Sequence, residues 1–222
     1  MSIVVSGTDT GVGKTVASAV ILARYGRSGR LAYWKPIQSG TRGGTDSSRI
    51  ARWTQGFAEV LEEEYRFLRP LSPHLAARLE GKAIDPERIA AALVRHALSD
   101  PRRNLVVEGA GGLLVPLTEG GYLIADLIRD LALPCVVVAR TALGTINHTL
   151  LTLEAARARG IRVAGVILSG PGDDENERAI ERFGRTAVVD TIEPIRPLGK
   201  PGVLRAARAF DRRGVLKEFF AS

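Results

Sequence analysis

The chain has 222 residues, of which 45% are hydrophobic and 25% charged, the ordinary composition of a folded domain with a sizeable core. Its net charge of +7 comes from scattered basic residues, without a dense basic stripe or interleaved aromatics, so nucleic acid is not an expected partner. No apolar run approaches the roughly 18 residues of a membrane span. Met1 leads directly into a predicted strand, so we expect a cytoplasmic protein without a signal peptide or membrane segment.

Strand-like and helix-like segments alternate along the chain. The strands are short and apolar, and several helices begin at a Ser, Asp or Pro that is typical of a helix start. In chain order we predict a strand over 3–6, a helix over 14–25, a strand over 30–34, a helix over 46–53, a strand over 65–68, helices over 72–80 and 85–98, a strand over 104–108, a helix over 122–131, a strand over 135–139, a helix over 145–159, a strand over 163–168, a helix over 174–183, a strand over 187–190, and one or two helices over 203–220.

This alternation predicts an α/β fold, with a single domain over residues 1–222 and a mostly parallel sheet covered by helices on both faces. In such sheets ligands bind beyond the carboxyl ends of the strands. That rule selects the polar residues and glycines that follow predicted strands, namely Lys35, Ser39, Glu108, Ser169 and Gly170. Cys135 lies inside an apolar strand, and we expect it to be a buried thiol without a chemical role.

The clearest motif is Gly-Thr-Asp-Thr-Gly-Val-Gly-Lys-Thr at residues 7–15, between a predicted strand and a predicted helix. Glycines let backbone N–H groups surround anionic oxygens, and the helix N-terminus adds partial positive charge. In a phosphate-binding loop Lys14 would reach the β- and γ-phosphates of ATP, and the Thr15 hydroxyl would bind Mg²⁺. Five residues rather than the usual four separate Gly7 from Gly13, so the loop is a variant.

The loop predicts a P-loop NTPase-type fold, and the alternative is a glycine-rich turn that happens to carry Gly-Lys-Thr. The predicted nucleotide contacts are Thr8, Asp9, Thr10, Gly11, Val12, Gly13, Lys14 and Thr15.

Two acidic residues are candidates to complete a metal site with Thr15. Glu108 ends an apolar strand, where a carboxylate can hold Mg²⁺ directly or through water. The alternative is a strand-end carboxylate that the protein itself satisfies. Asp46 is the natural second carboxylate, but its position also suits the cap of the helix over 46–53. The predicted metal ligands are Thr15, Asp46 and Glu108, with both alternatives open.

Together with the loop, further blocks resemble the dethiobiotin synthetase family. They are Tyr-Trp-Lys-Pro-Ile at 33–37, Ser-Pro-His-Leu-Ala-Ala at 72–77, Glu-Gly-Ala-Gly-Gly at 108–112 and Leu-Gly-Thr-Ile-Asn-His at 143–148, in the family's order. The resemblance implies an ATP- and Mg²⁺-dependent cyclo-ligase of biotin biosynthesis. Such an enzyme closes a cyclic urea from diaminopelargonate and CO₂ through a carbamate and a carbamic–phosphoric anhydride.

The same resemblance implies roles for single residues. It makes Lys14, Lys35 and Thr10 catalytic, and it assigns the carbamate and diamine to Thr10, Lys35, Ser39 and Gly111. Gly144, Thr145 and Asn147 fall where a second subunit receives the substrate carboxylate, which implies a homodimer. Family members commonly have an adenine-reading Asn after the strand over 163–168, but this chain has Ser169 and Gly170. We therefore expect nucleotide contacts there but weak selectivity for the base.

Two other functions share this kind of loop. A cobyrinate amidating synthetase usually has a glutamine-hydrolysing domain, for which we see no room in this chain. A partitioning or septum-positioning ATPase carries a signature Lys five residues before the loop lysine, and here that residue is Asp9. The expected reaction requires no histidine base, so we expect His74, His96 and His148 to be structural or surface residues.

Overall fold

A computed structural model describes residues 1–26 and 30–220; residues 27–29, 221 and 222 of the predicted domain lie outside the described part. The strands are β1 (Ile3–Gly7), β2 (Leu31–Trp34), β3 (Ile37–Ser39), β4 (Glu59–Val60), β5 (Tyr65–Phe67), β6 (Asn104–Glu108), β7 (Cys135–Arg140), β8 (Val163–Ser169) and β9 (Val188–Ile192). The helices are α1 (Lys14–Tyr25), α2 (Asp46–Trp53), α3 (Pro73–Leu79), α4 (Pro86–Ser99), α5 (Ile124–Asp130), α6 (Thr145–Ala158), α7 (Asp174–Gly184), α8 (Lys200–Ala209) and α9 (Lys217–Phe220).

Seven of the described strands form one sheet in the order β4-β2-β6-β1-β7-β8-β9, and neighbouring strands run parallel throughout. β1 is central, with Val5 opposite Glu108 of β6 on one side and Val136 of β7 on the other. Because the strands are parallel, their carboxyl ends and the loops that follow meet at one edge of the sheet. The predicted α/β fold with a mostly parallel sheet is confirmed.

Helices cover both faces of this sheet, each over its own apolar core. Val5 and Tyr33 face the core that includes side chains from α1, α2, α8 and α9. Val4 and Trp34 face the opposite core, which includes side chains from α3 to α7. Successive strand residues point to opposite faces, and here both faces are buried. This explains the nearly continuous apolar sequence of the strands.

Several predicted elements differ from the observed ones. β2 begins at Leu31, one residue after the predicted start, and the helix predicted over 122–131 begins only at Ile124. The helical region predicted over 203–220 divides into α8 and α9, and α8 begins earlier, at Lys200. β3 and β4 were not predicted, because strands of two or three residues are too short to show an alternating pattern. None of the described helices combines the length and apolar character needed to cross a bilayer.

Candidate active site

The loop between β1 and α1 has the backbone that a phosphate-binding turn requires. Gly13, directly before α1, lies in the left-handed region with φ 99°, and Gly11 does so with φ 73°. Space also excludes a side chain at Gly13, because a Cβ there would collide with the hydroxyl of Ser169. Among the described side chains none caps α1. Its first N–H groups are therefore donors for an anion.

Lys14 is buried beneath this loop. Its Nζ donates to the carbonyl oxygen of Asp9 at 2.9 Å. Burial lowers the pKa of Lys14 to about 8, although the Glu108 carboxylate acts in the opposite direction. The Asp9 carboxylate accepts from the Thr10 amide at 2.6 Å and from Arg140, the last residue of β7, at 2.9 Å. The outer part of the loop is thus anchored to the neighbouring strand.

Glu108, at this edge of the sheet, accepts four side-chain hydrogen bonds, and its residue is only 1% exposed. Its Oε1 accepts from the Thr15 hydroxyl at 3.0 Å and from Lys35 Nζ at 2.8 Å. Its Oε2 accepts from Ser18 at 3.2 Å and from Tyr33 at 2.9 Å. Burial, together with Glu108, raises the pKa of the Tyr33 phenol, which therefore remains a donor. In the structure the protein itself satisfies Glu108, and Oε1 is the oxygen on the side of Thr15.

Lys35 links Glu108 to Asp46. Its Nζ lies 2.9 Å from Asp46 Oδ2, and its side chain is 6% exposed. Burial favours the neutral amine, but the two carboxylates more than offset this and raise the pKa of Lys35 above its usual value. Burial likewise favours a protonated Asp46, but Lys35 and Arg49 lower the pKa of its carboxyl. Arg49 reaches Asp46 Oδ1 at 2.7 Å, so each oxygen of this carboxylate has a cationic partner.

The cap of α2 is Thr45, so the expectation that Asp46 is part of the cap is wrong. The Thr45 hydroxyl accepts from the Ser48 amide at 3.0 Å, and the Ser48 hydroxyl accepts from the Thr45 amide at 3.1 Å. This reciprocal pair satisfies two backbone donors at the helix start. Asp46 is the first residue of the helix, and its amide donates to Gln38 at 3.0 Å. Its carboxylate therefore remains available for the site.

A cavity of about 670 Å³ adjoins these residues, a size within the ordinary range for small-molecule sites. The predicted residues that line it are Thr10, Gly11, Gly13, Lys14, Thr15, Lys35, Ser39, Asp46, Glu108 and Gly111. Gln38, Arg49, Trp53 and Leu198 also line it. The Ser39 hydroxyl has no hydrogen-bond partner among the described residues. The structure thus brings together most of the predicted phosphate, metal and carbamate residues.

The three predicted metal ligands fit Mg²⁺ in their chemistry. Thr15, Asp46 and Glu108 offer one hydroxyl and two carboxylates, all hard oxygen donors. They are neighbours, because Thr15 and Lys35 contact the same oxygen of Glu108 and Lys35 also contacts Asp46. In the described part of the chain no group of three or more His, Cys, Asp or Glu residues could hold a metal by itself. One or two carboxylates are typical for a Mg²⁺ ion that also binds substrate phosphates.

The remaining predicted substrate residues lie apart from this cavity, at the start of α6. Gly144 and Asn147 line a second, more open cavity of about 660 Å³, together with Leu143 and Asn176. Neither lines the cavity that contains Lys35. Thr145 is buried, and its Oγ1 has no hydrogen-bond partner in the described part of the chain. Within one chain, therefore, the two halves of the predicted substrate site do not meet.

Ser169 and Gly170 are placed only partly as expected for residues that contact the nucleotide. Ser169 ends β8 and lies against Gly13 of the phosphate loop, and Gly170 lies close to the Thr141 side chain. The Gly172 amide donates to Glu193 at 2.8 Å, which joins the loops after β8 and β9. Neither Ser169 nor Gly170 offers the paired donor and acceptor of an Asn amide.

The sequence analysis did not identify Ser18, Tyr33, Arg49 or Arg140 as site residues. Two of them had a usable signal. Tyr33 precedes Lys35 by two residues and shares its face of the extended chain, and Ser18 follows Lys14 by four residues on one face of α1. The arginines gave no comparable signal, because a charged residue in a sequence rich in arginine does not reveal its partner.

Comparison with known proteins identifies the family. A family model described as an AAA domain matches residues 1–202. The ATP-dependent dethiobiotin synthetase of Agrobacterium fabrum is 47% identical over 200 residues, which cover 86% of this chain and 88% of that protein. The enzyme of the same name from Rhodopseudomonas palustris is 45% identical over 219 residues, covering 97% of both.

Among solved structures, the MinC:MinD cell division protein complex of Aquifex aeolicus aligns with 94% of this chain and 94% of its own. Its TM-score is 0.60 at 14% sequence identity, so the likeness concerns the P-loop fold alone. Family membership rests on the sequence matches over nearly the whole chain. The chain belongs to the family of ATP-dependent dethiobiotin synthetases, enzymes of the ligase class that serve biotin biosynthesis.

Proposed function

We propose that the protein closes a cyclic urea on 7,8-diaminopelargonate (7,8-diaminononanoate) with CO₂ and MgATP, giving dethiobiotin, ADP and phosphate. The observation that carries the proposal is a pair of buried lysines, Lys14 and Lys35, in one cavity at the phosphate loop. Two cations suit a reaction in which two anions, a carbamate and a triphosphate, must meet. Positioning and charge neutralisation are the main contributions that a protein makes to phosphoryl transfer.

The proposed reaction has three bond-forming steps. An amine nitrogen of the diamine attacks CO₂ and loses a proton, which gives the carbamate. A carbamate oxygen attacks the γ-phosphorus, the bond from that phosphorus to the bridging oxygen breaks, and ADP leaves. The second amine attacks the carbonyl carbon of the resulting carbamic–phosphoric anhydride, phosphate leaves with the electrons of the C–O bond, and the amine proton is released. No oxidant or reductant is needed.

The residues at the phosphate loop divide this work. Lys14 would bind the β- and γ-phosphates, and Lys35 would neutralise the carbamate as it approaches the γ-phosphorus. Thr10, Ser39 and Gly111 would hold the carbamate and the diamine. The nucleotide contacts would come from Thr8, Asp9, Thr10, Gly11, Val12, Gly13, Lys14, Thr15, Ser169 and Gly170. Mg²⁺, held by Thr15, Asp46 and Glu108, would supply further charge neutralisation at the phosphate oxygens.

We also propose a homodimer whose substrate site is shared between subunits. Gly144, Thr145 and Asn147 of one subunit would receive the substrate carboxylate that extends from the Lys35 cavity of the other. The distance of this group from the Lys35 cavity supports the proposal, as do the exposed side chains of Leu143 and Leu151. Residues 1–222 would act as one catalytic domain in each subunit, in the cytoplasm, with no nucleic acid or membrane partner.

One assay tests the proposed reaction. Phosphate release from MgATP is measured with diaminopelargonate, with bicarbonate, with both and with neither, and the product is identified by mass spectrometry. We expect release only with both, accompanied by one dethiobiotin per phosphate. Lys14→Met serves as a blank for contaminating ATPases. ATP hydrolysis that does not depend on the diamine but is stimulated by a protein, DNA or lipid surface would contradict the proposal and favour a nucleotide switch.

A further inference from the structure

The ammonium of Lys35 lies between the two carboxylates of the proposed metal site. Its Nζ is 2.8 Å from Glu108 Oε1 and 2.9 Å from Asp46 Oδ2. The same Oε1 of Glu108 accepts from the hydroxyl of Thr15 at 3.0 Å. Lys35 therefore contacts two of the three proposed ligands, and the third, Thr15, contacts the same Glu108 oxygen as Lys35.

We propose that Lys35 and the divalent cation exchange at the two carboxylates, which rests on the proposed function. Without metal, the Lys35 ammonium neutralises Glu108 and Asp46. When Mg²⁺ binds these carboxylates, the ammonium leaves them and enters the cavity, where the carbamate and the γ-phosphate are to be neutralised. Lys35 is then delivered to the reacting anions only in a site that already holds its metal.

The charges of Lys35 and the metal ion, and the short distances at the two carboxylates, both favour this exchange. Lys35 contacts both Glu108, which is 1% exposed, and the Asp46 side chain, which is 17% exposed. Removing a shared cation from two such carboxylates without a replacement is strongly unfavourable. Mg²⁺ binds oxygen at about 2.0–2.1 Å and carries two charges. An ammonium that hydrogen-bonds the same two oxygens would then be repelled at short range.

The chain also has the parts that such an exchange needs. Lysine has a flexible four-carbon stem with a compact charge, so its head group can move without a backbone change. Arg49 contacts Asp46 through the other oxygen, Oδ1, at 2.7 Å. The Asp46 carboxylate therefore keeps one cationic partner when Lys35 leaves it.

The exchange predicts that removing the charge of Lys35 strengthens metal binding. We compare Lys35→Met, which removes the charge but keeps a similar apolar stem, with the control Lys217→Met on the exposed surface of α9. Nucleotide-free Mn²⁺ binding is followed by electron paramagnetic resonance. We expect at least tenfold tighter Mn²⁺ binding in Lys35→Met than in the wild type and no change in the control. Equal or weaker binding in Lys35→Met would overturn the proposal.

Thermal unfolding gives a second readout. Lys35→Met should unfold at a lower temperature than the wild type in a chelator, and Mg²⁺ should restore most of the loss while shifting the wild type little. A loss that Mg²⁺ does not restore would contradict the exchange. If the variant fails to fold, a crystal structure of the wild type with Mn²⁺ and a non-hydrolysable ATP analogue decides. It should show Lys35 Nζ beyond hydrogen-bond distance from both carboxylates, and an unchanged bridge would overturn the proposal.

These readouts involve neither the diamine nor turnover. A failure of the proposed reaction would appear in the phosphate-release assay alone, whereas a failure of the exchange would appear in metal binding and stability.

Discussion

At the scale of single residues, we expect position 35 to require the compact charge of a lysine. The ammonium fits between Glu108 and Asp46 in a side chain that is 6% exposed, whereas a guanidinium is larger and spreads its charge over a plane. We expect Lys35→Arg to keep the fold, because a cation still separates the carboxylates. Its kcat should fall about 100-fold or more, the usual cost of losing one well-placed transition-state charge. Phosphate-release kinetics and thermal unfolding measure both effects, and near-native turnover would remove Lys35 from the mechanism.

The serine that stands where the family commonly has an adenine-reading Asn predicts weak selectivity among nucleoside triphosphates. An Asn amide donates and accepts at once, and such a paired contact is worth roughly 1–3 kcal/mol of base discrimination. Ser169 has a single hydroxyl that lies against Gly13, and Gly170 has only backbone groups. We expect kcat/KM for GTP or CTP to lie within about tenfold of the value for ATP. Steady-state kinetics at equal Mg²⁺ checks this, and a preference for ATP above about a hundredfold would indicate an adenine contact from residues 195–204.

The predicted residues that meet in the site occupy positions that the fold itself determines. Lys14 and Thr15 begin α1 directly after a loop of fixed geometry, and Lys35 and Glu108 stand at the ends of parallel strands that the fold brings together. Arg49 has no such constraint. Its contact with Asp46 depends on a helix start and a rotamer, which only the folded structure supplies.

At the scale of elements, α2 carries a residue that positions the Asp46 carboxylate. Arg49 holds Oδ1 at 2.7 Å, while Oδ2 faces Lys35. Because the Arg49 side chain is 43% exposed, a pair of this spacing adds little stability, and a cation near a helix N-terminus is unfavourable with the helix dipole. We therefore expect Arg49→Gln to raise the Mg²⁺ concentration for half-maximal activity about tenfold, a typical cost of losing an orienting partner of a ligand.

The matched control is Arg52→Gln, an exposed residue of the same helix. It should leave the Mg²⁺ dependence unchanged, and both variants should unfold at nearly the wild-type temperature. Arg49→Lys should restore part of the effect, since it keeps the charge but loses the planar geometry. Identical Mg²⁺ dependence in Arg49→Gln and Arg52→Gln would mean that Arg49 does not orient Asp46.

The strand β7, next to the central strand β1, contains the only cysteine of the sequence, Cys135. Burial raises the pKa of this thiol to about 12, and the thiolate is the reactive form. An ordinary thiol with a pKa of about 8.5 becomes more reactive between about pH 7 and pH 9, but native Cys135 stays protonated throughout. We expect no gain in labelling by a disulfide reagent over that range, and rapid labelling in guanidinium. Fast, pH-dependent labelling of the native protein would contradict the burial of this strand.

Strands of four or more residues in the main sheet were predicted, whereas the short strands β3 and β4 were not. The sequences of β6 and β8 contain consecutive apolar residues, a pattern that predicts strands buried on both faces. β3 and β5 have three residues each and pair only with one another. The position of β3 depends on its non-local pairing with β5, which local sequence does not encode. The predicted strand over 65–68 still identified β5, because Tyr65 and Phe67 favour an extended chain.

At the scale of the whole molecule, the fold and the function are inferred from different observations. The chain shares its architecture with a MinC:MinD complex at 14% identity, and one fold serves many activities. What distinguishes this chain is a set of side chains at the carboxyl ends of the strands. Here Asp9 replaces the signature lysine of partitioning ATPases and pairs with Arg140 at 2.9 Å, while Lys35 and Asp46 occupy the cavity beyond the loop. This arrangement supports the proposed reaction on an anionic small molecule rather than a protein switch.

The last prediction concerns assembly. Leu143, two residues before α6, is fully exposed and lines the cavity at Gly144 and Asn147. Leu151 is 56% exposed on that helix. In a twofold dimer the same surface patch meets itself, which would bury both leucines and complete two substrate sites at once. We expect a dimer by sedimentation at micromolar concentration, and Leu143→Glu should convert it to a monomer.

Because the carboxylate would then lose its binding group, Leu143→Glu should raise KM for the diamine at least about tenfold while ATP binding stays unchanged. Val94→Glu is the matched control, since Val94 is 56% exposed on α4. It should remain dimeric and active, because it introduces the same charge away from α6. A wild-type monomer with full activity would refute the shared site. A dimeric Leu143→Glu variant with an unchanged KM would place the interface elsewhere on the surface.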